Sequence, residues 1–152
     1  MPATPERDTR PPETVLAFDF GLRRIGVAVG QTVTGSASPL GVIASGDEGP
    51  DFDSIAALVK EWRPSRLVVG LPLQVDGSPG DLQSHVQRFV TELCRYQLPV
   101  DTVDERYTSL EAETALKNAR AAGSRGRISR EMIDSAAAVI IAERFLTGRR
   151  NV

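Results

Sequence analysis

The sequence predicts an α/β domain built on a mixed, partly parallel sheet with helices covering it. Two observations carry this reading. Three strand-like runs follow one another before residue 45, and strand and helix patterns alternate after it. The chain also has 152 residues, the size of one ordinary domain, enough to bury a single core without disulfides or metals.

Each element has its own signature. Residues 1–13 carry four prolines and five charges with no periodic pattern, so a disordered tail is expected there. Thr14 to Phe18 is a continuous apolar run, the mark of a strand buried on both faces. Phe20-Gly21 reads as a turn. Ile25, Val27 and Val29 then alternate with Gly26, Ala28 and Gly30. That strand has one bulky face and one small face, and the small face lets something approach closely. Ser36 to Ala44 makes a third strand, broken by Pro39 and therefore expected at an edge. The three should form an antiparallel meander.

The period then changes. Asp51 to Trp62 is an amphipathic helix ended by Pro64. Arg66 to Gly70 is a buried strand, and Leu71 to Gly77 a loop. Ser78-Pro79-Gly80-Asp81 resembles a helix start, with the helix running to about Tyr96. Leu98 to Val103 is the fifth strand. Thr108-Ser109-Leu110-Glu111 is a capping box for a helix to about Ala119, followed by a Gly-, Ser- and Arg-rich loop to Ser129 and a last helix from Glu131 to Leu146. Residues 149–152 form a short tail.

Composition narrows the function. Hydrophobic residues are 41% and charged residues 25%, the balance of a soluble globular protein. No apolar run is long enough to cross a bilayer, no signal peptide is visible, and Cys94 is the single cysteine, so a reducing cytoplasm is the expected location. The net charge of −2 is unevenly spread: residues 1–105 hold 15 acids and 9 bases, residues 106–152 hold 5 acids and 9 bases. Sixteen of the 18 basic residues are Arg, suited to bidentate phosphate contacts, although a genome bias towards Arg codons explains the same excess.

In a sheet of this kind functional groups gather where parallel strands end and helices begin. Three acids sit there. Asp19 ends the first buried strand. Glu105 follows the fifth, with Asp104 beside it as the competing carboxylate. Asp134 is in the last helix and shares a face with Ala138, Ile141 and Phe145. Each has an ordinary explanation alone: a turn residue for Asp19, a pair with Arg106 or a solvated loop position for Glu105, a backbone cap or a pair with an Arg such as Arg127 or Arg130 for Asp134. Together they make a site for a hard divalent cation, Mg²⁺ or Mn²⁺, which prefers oxygen ligands. With one Cys and one His (His85) there is no zinc-binding set. Such acidic clusters serve phosphodiester hydrolysis. Arg120, Arg125, Arg127 and Arg130 lie in or beside the loop before the last helix, where they either close on a nucleic-acid backbone or form a solvated linker.

The segments AFDFGLRRIGVAVG, VVGLPLQVDGS, DERYTS and IDSAAAVIIAERFL, in this order and spacing, resemble the YqgF/RuvX family of bacterial proteins over about residues 15–147. The resemblance implies an RNase H-like fold and a nuclease, described either as resolving Holliday junctions or as maturing the 5′ end of pre-16S ribosomal RNA. It places the family's acidic site on Asp19, Glu105 and Asp134. It also matches polar positions at Arg23 or Arg24, Arg106, Thr108 and Ser109, which are expected to hold substrate phosphates together with Arg127. The implied partners are precursor rRNA or branched DNA, with ribosomal particles in the first case and no membrane in either. The chain is expected to be a monomer or a homodimer, and paired cuts on a junction require the dimer. Two other readings are weaker. A phosphotransferase of the actin-like type needs a second domain, and a non-catalytic nucleic-acid module would gain nothing from acids that repel phosphate.

Overall fold

The computed structural model describes residues 12–71, 82–104 and 130–150. Six strands form one sheet in the order β4-β3-β2-β1-β5-β6. They are β1 (Thr14–Asp19), β2 (Arg24–Gln31), β3 (Ser36–Gly46), β4 (Gly49–Pro50), β5 (Arg66–Leu71) and β6 (Val100–Asp104). The helices are α1 (Phe52–Trp62), α2 (Leu82–Leu93), a short 3-10 turn (Cys94–Tyr96) and α3 (Arg130–Arg150). The expected capping sequence at 78–81, the helix from Thr108 and the Arg-rich loop all lie outside the described residues, as do residues 1–11, 151 and 152.

The meander forms as the alternation requires: β1 pairs antiparallel with β2, and β2 with β3. β5 then adds parallel to β1, and β6 parallel to β5. Where five strands were expected there are six. The extra one is two residues long and pairs Ser45 and Gly46 with Pro50 and Gly49, so its sequence reads as a turn. Beyond that short pairing β3 is the edge, consistent with Pro39. Pro39 pairs with Ala28 and Gly41 with the adjacent Val27, leaving Leu40 as the extra residue of a bulge.

The two faces of the sheet differ by strand parity. Leu16, Phe18 and Phe20 of β1 and its exit join Ile25, Val27 and Val29 of β2 in the larger core, under α1 and α2. Phe89 of α2 sits against both Phe18 and Phe20, with ring centroids 5.6 and 5.1 Å away. That contact pins α2 over the end of β1. Val15 and Ala17 instead face the other way, with Val68, Val103, Ile141 and Ala142. The small face of β2 turns to this side. A Cβ on Gly30 would stand 3.2 Å from Leu146 and from Val15 and 3.5 Å from Ala142. What approaches the glycine-alanine face is therefore α3.

Helix ends obey local chemistry. The Asp51 carboxylate caps α1 by accepting from the Ser54 amide at 3.2 Å and the Ser54 hydroxyl at 2.8 Å. Arg63, in the left-handed region at φ 46°, closes the other end, its amide donating to the Val59 carbonyl. α3 continues past the expected Leu146 to Arg150. Its outer half is fastened by Arg66, which lies 2.5 Å from the Asp101 carboxylate and carries its guanidinium 5.9 Å from the centre of the Phe145 ring.

Candidate nuclease site

Because β1, β5 and β6 are parallel, their C-terminal ends emerge on one edge of the domain. Phe18 is level with Val69, Val69 with Thr102, and Leu71 with Asp104. Asp19 is the last residue of β1, in the middle of the sheet. Its parity is that of Val15 and Ala17, so its half-buried side chain belongs to the face covered by α3. Its partner across the strand pair is Gly26, which contributes no side chain beside the carboxylate. After Phe20 the chain reverses through Gly21. A Cβ there would stand 2.5 Å from the Arg24 carbonyl oxygen, so the turn closes only with glycine. The Ser45 amide donates to the Arg23 carbonyl and braces the turn from the β3 side.

The first turns of α3 reach the same edge. The Ser135 hydroxyl donates to the Gly41 carbonyl at 3.0 Å. Gly41 is level with Val27, and Val27 with Phe18. The N-terminal end of α3, with the backbone of Asp134, therefore arrives near the level at which β1 ends. Of the three positions predicted to share a face with Asp134, Ala138 and Ile141 are fully buried and Phe145 is partly buried. Ser135 was not singled out in the sequence. The signal for it was weak: a polar residue next to a more conspicuous carboxylate.

The two arginines of the turn divide between the faces. Arg24 has the parity of Gly26 and Gly30 and so belongs to the α3 side with Asp19, whereas Arg23 lines a cleft on the α2 side. Both are exposed. Glu105, Arg106, Thr108, Ser109 and Arg127 lie outside the described residues, and so does the Asp134 side chain. Among the described residues no three His, Cys, Asp or Glu side chains are grouped to hold a metal. The described soft ligands are exposed on the α2 side: His85 in α2, and Cys94 just after it with its thiol on the Val90 carbonyl. Among the described residues at the end of β1, the α3 face carries one carboxylate, that of Asp19, whose oxygens are of the donor type that Mg²⁺ and Mn²⁺ take. No described helix is long and apolar enough to cross a membrane.

Comparison with known proteins decides the family. The RuvX family, described as "Holliday junction resolvase", matches residues 13–148. The chain belongs to the RuvX family. A protein of Burkholderia lata named "Putative pre-16S rRNA nuclease" is 46% identical over 134 residues, 88% of each chain. Proteins of the same name from Burkholderia multivorans and Azotobacter vinelandii are 43% and 44% identical, covering 96% and 91% of this chain and 94% and 96% of theirs. Among solved structures, Thermus thermophilus RuvC in complex with a Holliday junction substrate aligns with a TM-score of 0.53 at 12% identity, over 91% of this chain and 96% of that one. That likeness shows the fold, RNase H-like as expected. Family membership makes the chain a nuclease, a hydrolase of phosphodiester bonds.

Proposed function

We propose that this RuvX nuclease is metal-dependent and trims the 5′ end of precursor 16S ribosomal RNA in the cytoplasm, with Asp19, Glu105 and Asp134 as its acidic site. The observation that carries the site is the convergence of the end of β1 with the N-terminal end of α3 on one face and one edge of the sheet. The choice of Glu105 over Asp104 rests on parity. Asp101 pairs with Arg66, whose guanidinium lies against Phe145 of α3, and Val103 packs in the α3-side cluster. The period of a strand thus favours an odd-numbered carboxylate at this end of β6. The choice of RNA rests on the names of relatives at 43–46% identity.

In this reading the three carboxylates hold Mg²⁺ or Mn²⁺, which supplies an activated water and neutralises charge on the phosphate. The chain's own groups do the rest. Arg24, on the Asp19 side of the turn, takes a phosphate next to the scissile one. Arg106, Thr108, Ser109 and Arg127 extend that track, with Arg24 rather than Arg23 as the phosphate-holding arginine of the turn. The sheet edge keeps Asp19 fixed while the substrate moves.

The test is cleavage of a precursor RNA by purified protein. Cutting should need Mg²⁺ or Mn²⁺, stop in EDTA, and be lost in Asp134→Asn with the fold intact. Undiminished cutting by that variant excludes the site. The family description favours a second reading, a DNA junction resolvase using the same chemistry. Depletion of the protein in its own cell separates them. Extended 5′ ends of 16S rRNA support the first, and normal ends with unresolved chromosomes support the second. Paired cuts also require a two-fold dimer, which sedimentation measures.

A further inference from the structure

On the other side of the β1–β2 turn from Asp19 lies a cleft of about 630 Å³, between that turn, the β3–β4 turn and α2. The volume is that of a small-molecule site. Its apolar part is formed by Phe20, Leu22 and Phe89. Leu22 is 56% exposed, one of two large hydrophobic side chains so exposed among the described residues. A single exposed leucine means little by itself. This one stands on a turn held closed by Gly21 and braced by the Ser45 amide, three residues from Asp19 and next to Arg23.

The polar wall is mixed. Arg23, His85 and Arg88 offer donors, and Asp47, Glu48 and Glu92 offer acceptors. All but the half-buried Glu92 are exposed, and Arg88 keeps 80% of its side-chain surface despite a 3.6 Å contact with Glu92. A phosphate gains from the guanidinium groups but is repelled by the carboxylates. A purely apolar guest makes no use of these groups. A nucleobase matches both sets, with an apolar ring plane and an edge carrying amino donors and carbonyl or ring-nitrogen acceptors. Carboxylates accept from base amino groups, and Arg donates to carbonyl and ring nitrogen acceptors.

We infer that this cleft receives one unpaired nucleotide of the substrate, base inward against Leu22, while the chain's acidic edge addresses the neighbouring phosphate. The inference deepens the nuclease reading and rests on it for the substrate class. It gives the enzyme a preference for cutting where a base next to the scissile phosphate is free to leave its stack.

The test is an ¹⁵N-¹H titration of the full chain in EDTA, so that it reports on the cleft whether or not the acids hold metal. The probes are a mixed-sequence single-stranded RNA hexamer, an RNA duplex and inorganic phosphate. The hexamer should shift the amides of Leu22, Gly49 and Arg88, and phosphate should leave them in place. Leu22→Ser, which strips the apolar contact at an exposed site without adding charge, should weaken the hexamer by about fivefold, the loss expected for one apolar side chain removed from a contact, with the duplex unaffected. The inference is overturned if the hexamer leaves the cleft unmoved, if phosphate shifts it equally, or if Leu22→Ser weakens hexamer and duplex alike or neither. Loss of cleavage in Asp134→Asn is a separate measurement, so failure of the cleft and failure of the acidic site are told apart.

Discussion

Asp19 shows how one residue acquires a role from its strand. Even positions of β1 feed the larger core, and the odd position at its end turns a carboxylate towards α3 opposite a glycine. Asp19→Asn keeps that shape and removes the charge. Its cleavage rate should fall by about a thousandfold or more, the weight of several kcal/mol of transition-state stabilisation. A variant that cuts normally would remove Asp19 from the chemistry. Tyr96 offers a test with no catalytic content. Its hydroxyl donates to the Phe52 carbonyl at 3.1 Å, and burial holds its pKa above the usual 10. A raised pKa means stability that is whole below pH 10 and is lost as the pH rises through the folded-state value. Tyr96→Phe should therefore cost about 1 kcal/mol at pH 7, and its deficit relative to the parent should shrink above pH 10 in thermal melts. A constant deficit across that range would mean that the hydroxyl does not titrate with folding.

Elements fit together through small residues and closed helix ends. Gly30 admits α3 to the sheet. Gly30→Val should overpack against Leu146 and Val15 and cost about 1–3 kcal/mol, read by denaturant unfolding. Arg63 holds a left-handed conformation that glycine adopts without strain. Arg63→Gly should keep the amide contact to Val59 and stabilise α1 by about 1 kcal/mol, against the usual direction for glycine, and a loss of stability would show that the Arg63 side chain matters more than its backbone. At this scale the sequence was most legible. Alternation over 25–30 marked both the strand and its open face, and Asp51 marked the start of α1. β4 was hidden because Gly49 and Pro50 carry turn chemistry, and only the Ser45 and Gly46 backbone across from them makes them a strand. The Leu40 bulge and the Ser135 contact depend on a register between β2, β3 and a helix 94 residues away, which no local pattern encodes.

For the molecule as a whole, the parallel addition of β5 and β6 to the meander sends three strand ends to one edge, and α3 returns to that edge. Asp19 stands out in the sequence because it follows a buried strand, and Asp134 because it lies on a helix whose later positions are buried. That the end of β1 and the start of α3 reach one edge was not legible, because it depends on the order of strands in the sheet. Nor was the placing of Arg23 and Arg24 on opposite faces, since adjacent residues part only when the sheet assigns a face to each. The domain thus sets the Asp19 carboxylate and the mixed-polarity cleft on opposite sides of a single glycine-closed turn. The most direct measurement is an anomalous difference map from a crystal soaked in Mn²⁺. Manganese coordinated jointly by the carboxylates of Asp19, Glu105 and Asp134 is the predicted result. Manganese bound elsewhere, or those three carboxylates apart and occupied by arginine side chains, would contradict it.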